Sequence, residues 1–253
     1  IAMKVVTQFG KPDFITFTNV FAHIEDLKGL LNALKILKHE NTKIIIENHY
    51  LGAVLKGNQF DTFYHEHPRT YSFTSFKFVA KILGLQIERL EFPSRYGGNI
   101  RVFIGNGDEF KSDINMAELE SNERQFSEDF VQLDRNIKLW LKLKKEKIKK
   151  LINNYGCIHG KAFPGRAAIL VKMLNLDSDT ISKVYEKPGS LKIGYYIPGT
   201  RIPIHSDEEL LSSNDLNMPI LNLAWHISGE IENYLRKNKF TGDIFHILSK
   251  DDF

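Results

Sequence analysis

The sequence predicts an α/β protein with two domains joined by a long helix. Apolar runs typical of strands alternate with helical patterns along the first hundred residues. The alternation resumes after residue 155, and an uninterrupted helical pattern separates the two stretches. Because strand–helix alternation favours a mostly parallel sheet with helices on its faces, each domain is expected to have that architecture. The predicted domains are 1–115 and 155–253, and the linking helix is 116–154.

The first domain is predicted to begin with a helix. Apolar residues at 1, 2, 5, 6 and 9 have helical spacing, and Gly10 stands where the helix would end. A chain that opens inside a helix–strand unit, with no polar lead-in, is expected to be cut from a longer one; a natural start at Met3 is the alternative. The further predicted elements are strand 13–17, helix 25–38, strand 43–47, helix 74–83, and adjacent strands 85–92 and 99–104.

The linking helix carries an apolar stripe and ends in lysines. The stripe is Phe126, Phe130, Leu133, Ile137, Leu141 and Ile148, and the lysines are Lys142, Lys144, Lys145, Lys147, Lys149 and Lys150. Lysines oppose the negative end of a helix dipole, so we interpret them as a solvated helix end, with phosphate binding as the alternative. The second domain is predicted to contain strands 156–159, 181–185, 218–223 and 243–247 and helices 166–174 and 225–238.

Composition excludes several classes of function. The formal charge of +3 is small, so it argues neither for a nucleic-acid-binding protein nor for an acidic tail, although it permits a local basic pocket. A single cysteine, Cys157, excludes an intrachain disulfide and a cysteine-based zinc site. Apolar runs stay far below the roughly 20 residues of a membrane-spanning helix, and no signal segment opens the sequence. We predict a cytoplasmic protein without a membrane or nucleic-acid partner.

The densest cluster of chemically active side chains lies at 60–67. Tyr64, His65, Glu66 and His67 stand together on a segment without helical or strand periodicity. Open α/β sheets place ligands outside the carboxyl ends of their strands, on loops of this kind. An imidazole can take a proton at neutral pH, and a nearby carboxylate can orient it. Acid–base chemistry is favoured, with an ordinary polar loop or a metal site as alternatives.

Two other segments follow predicted strands. Asn19 and His23 come directly after strand 13–17, and the sequence favours a structural and a functional role for them equally. The stretch from Arg95 to Arg101 places Gly97 and Gly98 between two guanidinium groups, as either a hairpin turn or a substrate clamp. In the second domain, 160–165 would present backbone amides to an anion at the start of a helix, although a glycine pattern alone is a weak signal.

Together these residues resemble the S-adenosylmethionine-dependent sugar C-methyltransferases that build branched deoxysugars. The similarity covers nearly the whole chain, and its motifs stand in the expected order. They are 19–24, Glu47 with Tyr50, 64–67 with 71–72, 97–101, 160–165, 198–204, and 223–225 with 230–231.

The resemblance implies a specific fold. Residues 1–115 would be the second half of a class I methyltransferase sheet, starting near its fourth strand, and 155–253 a smaller Rossmann-like domain. The cysteine-rich zinc domain of the family and the glycine-rich turn that holds most of the S-adenosylmethionine would precede Ile1. Zinc and full cofactor binding are therefore expected only in a longer protein.

The resemblance also implies a reaction and its residues. A base removes a proton next to the ketone of a nucleotide-linked keto-deoxysugar, and the resulting enolate carbon takes up the methyl group. His67 would be the base, tuned or positioned by Glu66 and Tyr64. The other implied contacts are Asn19, His23, Arg95, Gly97, Gly98, Asn99, Arg101, Lys161, Pro164 and Arg166 for the substrate, and Asn19, Phe21 and Glu47 for the cofactor.

Two other functions fit the same residues. One is a nucleotide-sugar-binding homologue without catalysis, and the other is a keto-sugar isomerase that uses the same histidine and glutamate.

Overall fold

The computed structural model describes residues 1–107, 114–213 and 215–253. The chain divides into two compact units, Ile1–Leu133 and Asp134–Phe253. Within the described residues, each unit contains one β-sheet. The boundary falls inside a long helix, α6 (Phe126–Tyr155), eighteen residues beyond the predicted end of the first domain at 115.

The described part of the first unit is a mixed four-stranded sheet with helices. Its strands are β1 (Phe14–Thr18), β2 (Lys43–His49), β3 (Gln86–Glu91) and β4 (Asn99–Gly105), in the order β1-β2-β4-β3. β1 and β2 are parallel, whereas β4 is antiparallel to both of its neighbours. The helices are α1 (Ala2–Phe9), α2 (Leu27–Leu37), α3 (Leu51–Lys56), α4 (Phe73–Ile82) and α5 (Met116–Glu123). All four predicted strands are present, whereas α3 was not predicted.

The sheet topology gathers three strand ends at one edge. Because β1 and β2 are parallel, Thr18 and His49 end their strands on the same side. β4 runs in the opposite direction, so it begins at that edge, with Asn99 opposite His49. The polar residues that follow or begin these strands are thereby brought together.

The long helical pattern is broken in the structure. α5 ends at Glu123, and α6 begins three residues later. Glu123 turns inward, where its carboxylate accepts hydrogen bonds from the Phe73 and Thr74 amides at the start of α4 (2.7 and 2.8 Å). These bonds satisfy amide groups that the first turn of a helix leaves unpaired.

One lysine of the linking helix is not solvated as predicted. Lys144 is 4% exposed, and its ammonium group donates to the His246 carbonyl (2.9 Å) and to Asp252 (2.8 Å). Burial lowers the pKa of Lys144, and the bond to Asp252 opposes that effect. Lys144 is buried because it lies on the inward stripe of α6, together with Leu133, Trp140, Ile148 and Leu151.

The second unit contains a parallel sheet, of which five strands are described. They are β5 (Ile158–Lys161), β6 (Ile181–Glu186), β7 (Ile204–Ser206), β8 (Ile220–Asn222) and β9 (Ile244–His246), in the order β7-β6-β5-β8-β9. The helices are α7 (Ala167–Leu174), α8 (Asp207–Ser212) and α9 (Ser228–Lys237). The strand order reverses direction between β5 and β8, where open sheets of this type form a ligand crevice.

The first strand of this unit lies two residues later than predicted. Gly160 and Lys161 belong to β5 and pair with β6 and β8, so they do not form a loop. A Cβ atom at Gly160 would stand 2.6 Å from Cγ2 of Val184 on the neighbouring strand. The glycine therefore permits close packing inside the sheet, and only residues 162–165 of the predicted anion loop lie outside β5.

Helix length bears on membrane insertion. Among the described residues, no helix is both long and apolar enough to cross a bilayer.

Candidate active site

Asn19, Glu47, Asn99 and Arg101 form one hydrogen-bonded network at the shared strand edge. Asn19 follows β1 with a left-handed backbone (φ 52°), and its amide donates to the Glu47 carbonyl (2.8 Å). The Asn99 amide nitrogen donates to the side-chain oxygens of Asn19 (3.1 Å) and Glu47 (2.8 Å). The network fixes the three strand ends against one another.

Glu47 is a buried anion with two arginines around it. Its side chain accepts from Nε (2.8 Å) and Nη2 (2.5 Å) of Arg101, and Nη1 of Arg95 lies 3.7 Å away. Burial alone would raise the pKa of Glu47, but the hydrogen bonds from Asn99 and Arg101 and the two positive charges lower it overall. Glu47 is therefore ionised at neutral pH.

This geometry corrects two of the predicted ligand contacts. Glu47, predicted to contact the cofactor, is 2% exposed and engaged by Asn99 and Arg101. Arg101, predicted to contact the substrate, divides its guanidinium between Glu47 and Glu91 (2.7 Å). Arg95 remains 55% exposed, so its predicted contact with substrate stays open.

Asn99 retains an unused acceptor at this edge. Its side chain is fully buried, and Oδ1 has no hydrogen-bond partner among the described residues. A buried acceptor without a partner costs free energy, on the order of 1–3 kcal/mol. Because protein atoms cover this oxygen, the predicted contact of Asn99 with substrate stays a prediction.

His67 is oriented by a backbone carbonyl. The 3-10 turn Phe60–Thr62 is buried, and the carbonyl of Thr62 lies 3.0 Å from Nδ1 of His67. A carbonyl can only accept, so Nδ1 carries the proton, and Nε2 is left as the acceptor nitrogen of the neutral ring. In this tautomer Nε2 is the nitrogen that can act as a general base.

Three further rings surround His67. Tyr64 lies at 4.5 Å between ring centroids, His23 at 4.7 Å and His49 at 5.5 Å. His23 belongs to the 3-10 turn Phe21–His23 after β1, and His49 ends β2. The structure thus brings the predicted His23 and His67 together with His49, which was not predicted although it also lies at the end of a strand.

Phe21 and Glu66 do not have the surroundings expected of them. Phe21, predicted to contact the cofactor, is completely buried and packs against Phe17 and Tyr71 in the core. It anchors the turn that carries His23. Glu66 is exposed, whereas the bond that orients the His67 ring comes from Thr62.

Gly97 and Gly98, just before β4, lie where a side chain would collide with neighbouring residues of the protein. Gly97 and Gly98 have left-handed backbones (φ 87° and 119°). A Cβ atom at Gly97 would meet the Gln59 amide at 2.4 Å, and one at Gly98 would meet Cβ of Ala53 at 2.6 Å. The structural turn therefore explains both glycines, and their predicted contact with substrate has no support in this geometry.

In the second unit, Lys161 is part of a buried ion pair. Lys161 and Asp207 are each 1% exposed, and the ammonium lies 2.8 Å from both carboxylate oxygens. Tyr234 covers the pair, with its ring 5.3 Å from the ammonium. Burial, followed by the Asp207 charge, raises the pKa of Tyr234 to about 12. Lys161 is therefore committed to the core, contrary to the predicted substrate contact.

Pro164 and Arg166 remain on the loop between β5 and α7, beside the strand switch point. The Arg166 guanidinium lies 5.2 Å from the ring centre of Trp225, which follows β8. One member of this stacked pair thus follows β5 and the other follows β8. The predicted role of Pro164 and Arg166 in substrate binding stays a prediction.

Metal binding was the least favoured interpretation of the histidines. Within the ranges that the structure describes, no three His, Cys, Asp or Glu side chains are grouped so as to hold a metal ion.

Comparison with known proteins defines the class. Residues 94–247, more than half of the chain, match the family model described as the C-methyltransferase C-terminal domain. The chain therefore belongs to the C-methyltransferase family, and the resemblance inferred from the sequence is confirmed.

A named relative extends the similarity beyond that domain. The chain is similar to the C-methyltransferase NovU of Streptomyces niveus, with 26% identity over 239 residues. The alignment covers 91% of this chain and 56% of NovU, so the chain spans little more than half the length of that relative.

Proposed function

We propose that this chain carries the proton-abstracting residues of a C-methyltransferase that acts on a nucleotide-linked keto-deoxysugar. The observation that supports the proposal is the His67 ring, whose Nδ1 proton is held by the Thr62 carbonyl, so that Nε2 accepts. Membership in the C-methyltransferase family supplies the reaction class. Residues 1–107 would then be the later half of a class I methyltransferase sheet, because their antiparallel β4 lies between β2 and β3.

His67 would remove a proton from the carbon next to the sugar ketone. The electrons of that bond move into an enolate, and the proton goes to Nε2, so the ring becomes a cation that keeps its bond to Thr62. An enolate oxygen needs a preorganised donor. His23 and Asn19 are our candidates. The His23 ring lies 4.7 Å from that of His67, and the Asn19 side-chain oxygen accepts from Asn99, so its amide nitrogen is oriented as a donor.

The methyl donor implied by the resemblance is S-adenosylmethionine. Phe21 and Glu47 do not fit as its contacts, since one is in the core and the other is saturated by hydrogen bonds. Asn19 is the one residue of this chain that we keep as a candidate contact of S-adenosylmethionine, because it directly follows the end of β1.

For the nucleotide end of the substrate, we propose the crevice outside β5 and β8. The buried Arg166 guanidinium stacks on the Trp225 ring there, 5.2 Å from the ring centre, and we propose that this stacked pair contacts the nucleotide. Guanidinium groups recognise phosphates, and aromatic faces stack on bases. Pro164 lies on the same loop as Arg166.

The test is methyl transfer from S-adenosylmethionine to a nucleotide keto-sugar by the protein expressed from its complete reading frame. His67→Gln should lower kcat by about 10²–10⁴-fold, the usual contribution of a general base, while calorimetry shows substrate still bound. His65→Gln is the matched control, because His65 is exposed and two residues away in the same segment. It should retain the activity of the parent protein.

Three outcomes would contradict the proposal. Near-parental turnover by His67→Gln would remove this residue as the base. Binding of the nucleotide-sugar without methyl transfer would indicate a binding homologue. Exchange of deuterium at the carbon next to the ketone, with isomerised product and no methylation, would indicate an isomerase.

A further inference from the structure

His49 presents a second imidazole to the ring of His67. It is the last residue of β2, and its ring lies 5.5 Å from that of His67 at an interplanar angle of 85°. On another side it approaches Tyr96, at 6.4 Å between centroids. The rigid end of a central strand thus sets the position of His49 relative to His67.

We propose that His49 is a positioning residue that keeps His67 in its neutral, proton-accepting form near pH 7. This inference deepens the proposed function, because it concerns the charge of the base assigned there. His49 acts through its packing against the His67 ring and needs no contact with substrate.

The physical reason is repulsion between two imidazoles. Each can carry a positive charge near neutral pH, and two like charges so close disfavour double protonation. At 5.5 Å between the ring centres, Coulomb's law with an effective dielectric constant of roughly 40–80 gives a shift of about 0.5–1 pH unit. The two rings are then expected to titrate as a coupled pair.

Other titratable and charged groups also surround His67. The titratable and charged side chains that face it or flank it are His23, Tyr64, His65, Glu66, Asp61, Arg69 and, beyond His49, Tyr96. His23 is nearer than His49, but it is exposed, so water and salt screen its charge more strongly. Arg69 donates to the Ile24 carbonyl (2.6 Å), which fixes its guanidinium. His49 is half-buried, so its charge is screened less than that of His23.

The test is an NMR titration of the His67 imidazole in the 253-residue chain, which requires no methyl donor. Two variants are compared with the parent: His49→Gln, and His49→Phe, which keeps a ring packed against His67 without a charge. Both should raise the titration midpoint of His67 by about 0.5–1 pH unit and sharpen its curve. His65→Gln is the control and should leave the midpoint unchanged.

An unchanged or lowered midpoint in the His49 variants would overturn the inference. In the complete protein, the acidic limb of the kcat/KM profile should move to higher pH by the same amount in both variants. A profile that keeps its position would also contradict the inference. Failure to detect methyl transfer at all would instead refute the proposed function, and the titration would still decide the role of His49.

Discussion

Replacing Arg101 with methionine removes the main partner of the buried Glu47 carboxylate. Arg101 stands directly opposite Glu47 in the pairing of β2 with β4, and it gives that carboxylate two hydrogen bonds. Methionine preserves much of the apolar length of the side chain. The variant therefore tests the charge and the hydrogen bonds rather than packing.

The expected loss of stability is about 2–3 kcal/mol at pH 7. Removing one partner of a fully buried ion pair costs roughly 3–5 kcal/mol, because the remaining charge is left unpaired in the interior. The loss should be smaller here, since Arg101 is 31% exposed and water can reach the vacated position. Asn99 also keeps its bond to Glu47 (2.8 Å).

The loss should depend on pH with a definite sign. In the parent protein the pKa of Glu47 is lowered, so its ionised form contributes stability above its unfolded pKa of about 4.3. That contribution disappears as the pH falls through the lower, folded value. In the variant, the hydrogen bonds and charge of Arg101 no longer offset the effect of burial, so the pKa of Glu47 rises. The difference between parent and variant should therefore be largest near neutrality and shrink below about pH 4.

Urea unfolding followed by far-ultraviolet circular dichroism measures the effect. Trp140 and Trp225 both belong to the second unit, so tryptophan fluorescence reports on the unit that is not mutated. Arg89→Met is the matched control: Arg89 pairs with Glu91 but is 60% exposed, and its loss should cost no more than about 1 kcal/mol. A loss in Arg101→Met no larger than in this control, or one that grows on acidification, would refute the reasoning.

Two further predictions concern the second unit, and tryptophan fluorescence can follow both. Gly160→Ala should destabilise this unit by about 1–3 kcal/mol, because the new Cβ would meet Val184 at 2.6 Å. Val184→Ala in the same chain should relieve part of the loss. If the losses of the two single variants simply add in the double variant, the clash is not the cause. Lys161→Met should cost about 3–5 kcal/mol by leaving Asp207 buried without its cation. The double variant Lys161→Met/Asp207→Leu should be more stable than Lys161→Met alone, and the opposite order would show that the ion pair is not the cause.

Strand positions could be predicted from the sequence because they depend on local pattern. The β-branched run at 43–47 predicts β2, and the glycine-rich turn before residue 99 predicts that two strands are neighbours. Local pattern did not predict the insertion of β4 between β2 and β3, since strand order depends on contacts between distant residues. β7 and α8 were missed because both are short, with three and six residues.

The location of the candidate site was easier to predict than the roles of its residues. The rule that ligands bind at the carboxyl ends of strands selected Asn19, His23 and His67, whereas Glu47 was named only through the resemblance. Whether a polar side chain is free for a ligand depends on the residue opposite it, as Glu47 and Arg101 show. Lys161 likewise meets Asp207 across 46 residues of sequence, a pairing that no local pattern reveals.

The neutral tautomer of His67 decides whether this ring can be the catalytic base. Nitrogen-15 NMR of the labelled imidazole distinguishes the two neutral tautomers above the titration midpoint. We predict a proton on Nδ1, held by the Thr62 carbonyl, and an unprotonated Nε2. A neutral ring with its proton on Nε2 would contradict the assignment of Nε2 as the base, because that nitrogen could then accept no proton from a substrate.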